Sequence, residues 1–317
     1  MAADPLGIHY ESLKAVMDNI QSIYYGNPQS IRHILICLLS GGHILIEDVP
    51  GVGKTLLARA LARSIECDCK RIQLTPDLLP SDITGVSVYN SVSGEFDFKP
   101  GPVFSNIVLA DEINRTTPRT QSSLLEAMSE GQVTVDGKSH PLPKPFMVLA
   151  TQNPFEFEGT YFLPENQLDR FIMRVRLGYP EKQEEIRILN DEPSEGALDS
   201  LKPVLNAQQL LELQQEVRNV RIDRTIVDYL MEIVCATRDH PELLVGASPR
   251  AALALQRVAK ASAILAGRSY CLPDDVKSFA IGVFSHRIIS KRFAHEPTHQ
   301  GCDSIMEQIL NSIPVPG

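Results

Sequence analysis

The segment that most restricts how this chain can fold is Asp48-Val49-Pro50-Gly51-Val52-Gly53-Lys54-Thr55, set between the aliphatic run Ile44 to Glu47 and a helix-period stretch that begins Leu56-Leu57-Ala58. Strand, glycine loop and helix in this order read as a phosphate loop. The glycines let backbone amides close round a β-phosphate with no Cβ in the way, Lys54 brings positive charge toward the β- and γ-phosphates, and Thr55 offers a hydroxyl to Mg²⁺. The candidate phosphate contacts are Gly51, Val52, Gly53, Lys54, Thr55 and Leu56. The strict G-x-x-x-x-G-K-[ST] pattern is broken at its first position, where Asp48 replaces glycine. A plain glycine turn with an exposed lysine is the structural alternative.

Such a loop belongs in a parallel sheet, and the first 180 residues supply one. Short aliphatic and β-branched runs recur at Ile44 to Glu47, Arg71 to Leu74, Ile107 to Ala110, Phe146 to Ala150 and Arg174 to Leu177, with helix-period segments at Lys54 to Cys67 and Thr120 to Ser129. That alternation predicts an α/β fold, a five-stranded parallel sheet covered on both faces. From Asn206 the strand signal stops. Amphipathic repeats at Ala207 to Val217, Asp223 to Thr237, Pro249 to Ala266 and Pro273 to His286 predict an all-α second domain. The expected organisation is a nucleotide-binding domain over 1–185, a linker over 186–205 and a helical domain over 206–317.

A phosphate site that does chemistry needs an acid for the metal and a carboxylate to deprotonate water, ideally at the end of a neighbouring strand. Ile107-Val108-Leu109-Ala110-Asp111-Glu112 offers both, Asp111 for Mg²⁺ and Glu112 as general base. The next strand ends in Ala150-Thr151-Gln152-Asn153-Pro154, where the Asn153 amide could position the water; a turn-forming Asn before Pro is the alternative. Transfer of a γ-phosphate also needs extra positive charge, often an arginine of an adjacent subunit. Arg170 is the candidate, with Arg115 and Arg119 as rivals, and Arg250 at the start of a lid helix could reach phosphate from the second domain.

Composition narrows the partners. At 317 residues with 43% apolar and 22% charged, the chain can bury sizeable cores, and it is no disordered tail. Thirty Lys plus Arg against 39 Asp plus Glu leave a net charge of −9, which disfavours nucleic acid as a general partner. No apolar run approaches the roughly 20 residues of a bilayer span, and Met1 to Tyr10 carry no secretory signal, so the cytoplasm is expected. The cysteines at 37, 67, 69, 235, 271 and 302 read as buried or incidental thiols rather than metal ligands. His286, Arg287, Lys291, Arg292 and His295 form a basic cluster read as a solvated lid face.

With the phosphate loop, Asp111-Glu112, Asn153, Arg170 and Arg250 in this order, the chain resembles the AAA+ ATPases. Glu47 to Thr55, Ala110 to Arg115, Leu124 to Met128, Ala150 to Pro154 and Leu163 to Phe171 look like the MoxR family, over about residues 10 to 290. The resemblance implies an αβα wedge with strand order 5-1-4-3-2 and a helical lid. It implies ATP and Mg²⁺ as cofactors, Lys54 and Thr55 as their contacts, Asp111 and Glu112 as the Walker B pair, Asn153 as sensor 1, Arg170 as arginine finger and Arg250 as sensor 2. Tyr25 and Gly26 lie where the family contacts adenine. Two insertions resemble hairpins of this clade, Asp82 to Gly101 and Gly131 to His140, the second with a favoured Asp136-Gly137 turn; each is either a pore- or client-facing element or an ordinary surface hairpin. The implied activity is ATP hydrolysis driving chaperone-like remodelling or maturation of protein clients, including metal-cofactor insertion. The implied assembly is a homo-oligomeric, hexameric ring, with von Willebrand factor A domain proteins as partners. A magnesium-chelatase motor subunit and an ATP-gated binding module with little turnover are the alternatives.

Overall fold

A computed structural model describes residues 5–153, 160–191, 195–291 and 301–316. Helices α1 (Pro5–Gln21) and α2 (Pro28–Leu39) lead into β1 (His43–Glu47), then α3 (Lys54–Ser64), β2 (Cys69–Gln73), α4 (Pro80–Thr84) and the hairpin β3 (Gly85–Asn90) and β4 (Glu95–Pro100). Next come β5 (Ile107–Asp111), α5 (Pro118–Glu130), the hairpin β6 (Gln132–Val135) and β7 (Lys138–Pro141), β8 (Met147–Gln152), α6 (Glu165–Leu168) and β9 (Phe171–Val175). The C-terminal part holds α7 (Lys182–Asp191), α8 (Glu195–Ser200), α9 (Ala207–Asn219), α10 (Arg224–Asp239), β10 (Leu243–Val245), α11 (Pro249–Leu265), α12 (Pro273–Phe284), β11 (Ile289–Ser290) and α13 (Cys302–Ser312).

Strands β2-β5-β8-β1-β9 form one parallel sheet, the expected 5-1-4-3-2 order in core numbering. Its central strands are apolar over residues 44–46, 107–110 and 147–150 because both faces are covered. Ile44 and Ile46 of β1, Leu109 of β5 and Leu149 of β8 join one core beneath the lid, whereas Leu45, Val108, Ala110 and Val148 join a second core against α4 and α5. The period of two thus sorts one strand into two cores. The first core continues without a break into Leu210, Leu230, Ile233, Leu255 and Val258, so the lid rests on the wedge through apolar packing. Ser248 caps α11 by accepting from Ala251 N, and Pro249 fills its first turn.

Three expectations shift. The last sheet strand begins at Phe171 rather than Arg174, because the Leu168-Asp169-Arg170 turn ends directly at the sheet. Much of the segment expected as linker over 186–205 is helical, in the second half of α7 and in α8. The lid also carries the short antiparallel pair β10 and β11 between its helices. Both expected hairpins are present, and Asp136 and Gly137 take positive φ at the second turn. Among the described residues no helix is long and apolar enough to cross a membrane. All six cysteines are free.

Candidate active site

The loop after β1 carries two left-handed glycines, Gly51 (φ +89°) and Gly53 (φ +84°), a conformation a side chain resists. Gly53 is the residue before α3, so the first free amides of that helix point into the loop. The result is a cavity of about 430 Å³ lined by Asp48, Pro50, Gly51 and Gly53 to Leu56 together with Arg71, Asp111, Glu112, Thr151 and Asn153, while Val52 packs into the first core. Phosphate loop, acid pair and sensor amide therefore share one space. Thr55 and Asp111 face it with hard oxygen donors, a set that suits Mg²⁺. Lys54 Nζ donates to the Asp48 carbonyl at 2.9 Å. Burial draws the Lys54 pKa down, and Asp111, Asp48 and Glu112 oppose that shift.

Asp48, the departure from the loop pattern, is an anchor. Its carboxylate accepts from Leu177 N and Gly178 N at 2.7 Å each and from Val49 N at 2.9 Å. Glycine could not tie the loop to the segment after β9 in this way. Beneath the loop lies the ring of Tyr24, buried against Gly53, with its hydroxyl pKa pushed up to about 12 by burial and by Asp48.

The acid pair is held by groups the motifs did not reveal. Arg71 Nη2 pairs with Asp111 Oδ2 at 2.7 Å, and Thr151 Oγ1 donates to Asp111 Oδ1 at 2.5 Å. Gln73 Nε2 donates to Glu112 Oε2 at 2.9 Å, and Arg115 pairs with the same carboxylate at 3.4 Å. Glu112 itself is left-handed at φ +60°, a strained backbone of the kind found at functional sites, and its N–H donates to Thr151. A signal existed for Arg71 and Gln73. They alternate on β2, whose register places Gln73 opposite Asp111.

The two candidate arginines lie elsewhere. Arg170 immediately precedes β9, whose Phe171 pairs with His43 at the start of β1, while the phosphate loop follows the end of β1. A strand's length, roughly 16 Å, separates them. Its guanidinium donates to the Leu125 carbonyl and the Ser129 hydroxyl of α5. Arg250 was expected to reach phosphate from the lid, but it pairs with Asp169 at 3.2 Å and does not line the cavity. Of the rivals, Arg115 sits beside Glu112 of its own chain, and Arg119 is exposed on α5. Tyr25 and Gly26 do not line the phosphate cavity either; the Arg187 guanidinium stacks over the Tyr25 ring at 4.3 Å, and Gly26 packs on Tyr24.

The basic cluster read as a solvated lid face is largely interior. His286 and Arg287 are buried, and Arg287 donates to Asp169 Oδ1 at 2.8 Å and to the Phe171 and Ile172 carbonyls. Burial lowers the Arg287 pKa to about 10, with Asp169 opposing that shift, so it stays charged at neutral pH. Arg287 bolts the lid to the wedge. Lys291 is exposed, as expected, while Pro154, Arg292 and His295 lie outside the described residues.

Comparison with known proteins agrees with this geometry. Residues 43–173 match the ATPase family associated with various cellular activities (AAA), and residues 235–309 match an AAA lid domain. YeaC of Bacillus subtilis is 49% identical over 96% of this chain and 95% of its own length. Chaperone MoxR1 of Mycobacterium tuberculosis is 40% identical over 90% of this chain and 78% of its own, and Protein MoxR of Paracoccus denitrificans is 29% identical over 94% of each. A crystal structure from Cytophaga hutchinsonii, of a protein inferred to be an ATPase, superposes with a TM-score of 0.89 at 40% identity, covering 98% of this chain and 97% of that one. The phosphate cavity and its acid pair thus sit in a chain that belongs to the MoxR family of AAA+ ATPases and hydrolyses ATP.

Proposed function

We propose that this chain is one subunit of a ring, hexameric by its resemblance, that hydrolyses ATP at sites shared between neighbours and uses the cycle to remodel or mature protein clients. One observation carries the reading: the phosphate loop and Arg170 occupy opposite ends of the same sheet. That separation suits an arginine that acts on the next subunit's phosphates rather than its own.

Within one subunit the loop amides and Lys54 bind the β- and γ-phosphates. Thr55, and Asp111 through water, would hold Mg²⁺, which would supply charge to neutralise phosphate oxygens. Asn153 positions a water, Glu112 takes its proton as the oxygen attacks the γ-phosphorus, and the bond to the β–γ bridging oxygen breaks to leave ADP. Three contacts must first open. Arg71 has to leave Asp111, and Gln73 and Arg115 have to release the Glu112 carboxylate. Arg170 of the neighbouring subunit then stabilises charge on the transferring phosphoryl group.

Client handling is supported by the relative named a chaperone and by the exposed apolar side chains Val86, Val88, Tyr89, Val92 and Phe96 on the first hairpin. A von Willebrand factor A domain partner and a role in metal-cofactor insertion rest on the family resemblance alone. The test is steady-state phosphate release across a concentration series, with sedimentation of the same samples. Specific activity rising steeply with a ring-sized species is expected; constant activity from a monomer would overturn the shared site.

A further inference from the structure

A second cavity, of about 360 Å³, lies at the opposite end of β1 from the phosphate loop, where Ser40 and Gly41 at the end of α2 meet lid helices α9 and α11. Three cations line it: Arg218 from α9, and Arg257 and Lys260 one turn apart on α11. No carboxylate lines it, and among the described residues none of the three pairs with one. Buried or half-buried arginines elsewhere in the chain, Arg174, Arg268 and Arg287, do have carboxylate partners.

The local contacts bring these charges together rather than disperse them. Lys260 Nζ donates to the Arg218 carbonyl at 3.0 Å, which holds the two helices and their cations side by side. Gln214 on the same wall donates to the Leu38 carbonyl at 2.7 Å and fixes α9 against α2. Desolvation and then Arg218 lower the Arg257 pKa, as expected for a guanidinium whose neighbour repels it. Arginine forks match phosphate oxygens in pairs, and the volume suits a compact ligand rather than a chain segment.

We infer that the seam between wedge and lid holds a binding site for a small phosphorylated anion, gripped by Arg218, Arg257 and Lys260. It is separate from the ATP site and does not depend on the ring reading. An occupant would relieve the repulsion between the cations and bridge α2 to the lid.

The test is calorimetric titration of inorganic pyrophosphate, without Mg²⁺ and at low salt, into the full chain carrying Lys54→Ala, which disables the phosphate loop. One saturable site per chain is expected, weakened about tenfold or more when Arg257→Gln and Lys260→Gln are added. No saturable heat up to about 5 mM pyrophosphate would overturn the proposal, as would binding that survives the added pair unchanged. Should the pair impair folding in a thermal melt, Arg218→Gln alone decides. Arg218 is exposed on its helix, and its loss should weaken binding about tenfold; unchanged affinity would again count against the site.

Discussion

Glu112 combines a left-handed backbone with a carboxylate held by Gln73 and Arg115, so the proposed general base is stored beside the cavity in a restrained position. Glu112→Gln should keep ATP bound while turnover falls by about 10²–10⁴-fold, read by nucleotide binding alongside phosphate release. Equal turnover would remove Glu112 from its role. Asp48 is a different kind of residue, since its carboxylate satisfies two amides after β9, one of them, at Leu177, buried. Asp48→Ala should cost about 2–4 kcal/mol of stability, because both amides lose a charge-assisted acceptor; a denaturant melt reads this directly. The sequence showed Lys54, Thr55, Asp111, Glu112 and Asn153 because fixed chemistry at fixed spacing marks them. It did not show Arg71, Tyr24 or the anchor role of Asp48, because those depend on which segment lies alongside.

Elements are joined by two buried polar groups at opposite ends of β1. At its start, the His43 ring accepts from Val148 N of β8 at 3.0 Å and meets the Met128 carbonyl of α5 at 3.1 Å, which makes it the neutral tautomer with the proton on Nε2. Burial lowers its pKa to about 4. The unfolded chain then binds the proton first, so stability is intact above about pH 6.5 and falls as pH drops toward 4, by about 3 kcal/mol from this group. Melts between pH 7 and 4 should show that slope, and it should flatten in His43→Gln. At the other end of β1, Glu47 accepts from Arg174 at 3.0 Å and from Gln152 at 2.6 Å, and Arg174 also binds Asp303 of α13. Arg174→Met leaves Glu47 buried with Gln152 and the exposed Arg176, and should cost about 3–5 kcal/mol. A loss under 1 kcal/mol would mean that water or Arg176 replaces the guanidinium.

At the scale of the whole molecule, Asp169 is the junction, because it receives Arg250 and Arg287 from the lid and stands next to Arg170. Asp169→Asn should leave ATP affinity near normal but lower the activity of assembled protein, since it holds the lid one residue before Arg170, the arginine proposed to act on a neighbour. Loss of ATP affinity instead would place the junction at the subunit's own site. Arg170→Ala should bind ATP and fail to turn it over, and mixing it with Glu112→Gln should restore some hydrolysis, because one subunit keeps the base and the other the arginine. No recovery at any mixing ratio would count against sharing between subunits.

The strand order and the first hairpin came with the family resemblance; the sequence by itself determined the α/β class, the phosphate loop, the acid pair, the Asp136-Gly137 turn and the helical lid. Those follow from local rules: glycine where the loop turns, apolar runs where strands are covered on both faces, a period of 3.6 where helices bury one stripe. Only the tertiary structure decided that Arg170 stands a strand's length from the loop, since that distance comes from the parallel register of β1 and β9, and that Arg250 pairs with Asp169. It likewise decided that Arg287 is buried rather than solvated. A charged side chain reads as exposed until a partner is known, and Asp169, 118 residues away in the chain, becomes its neighbour only when lid and wedge close on one core.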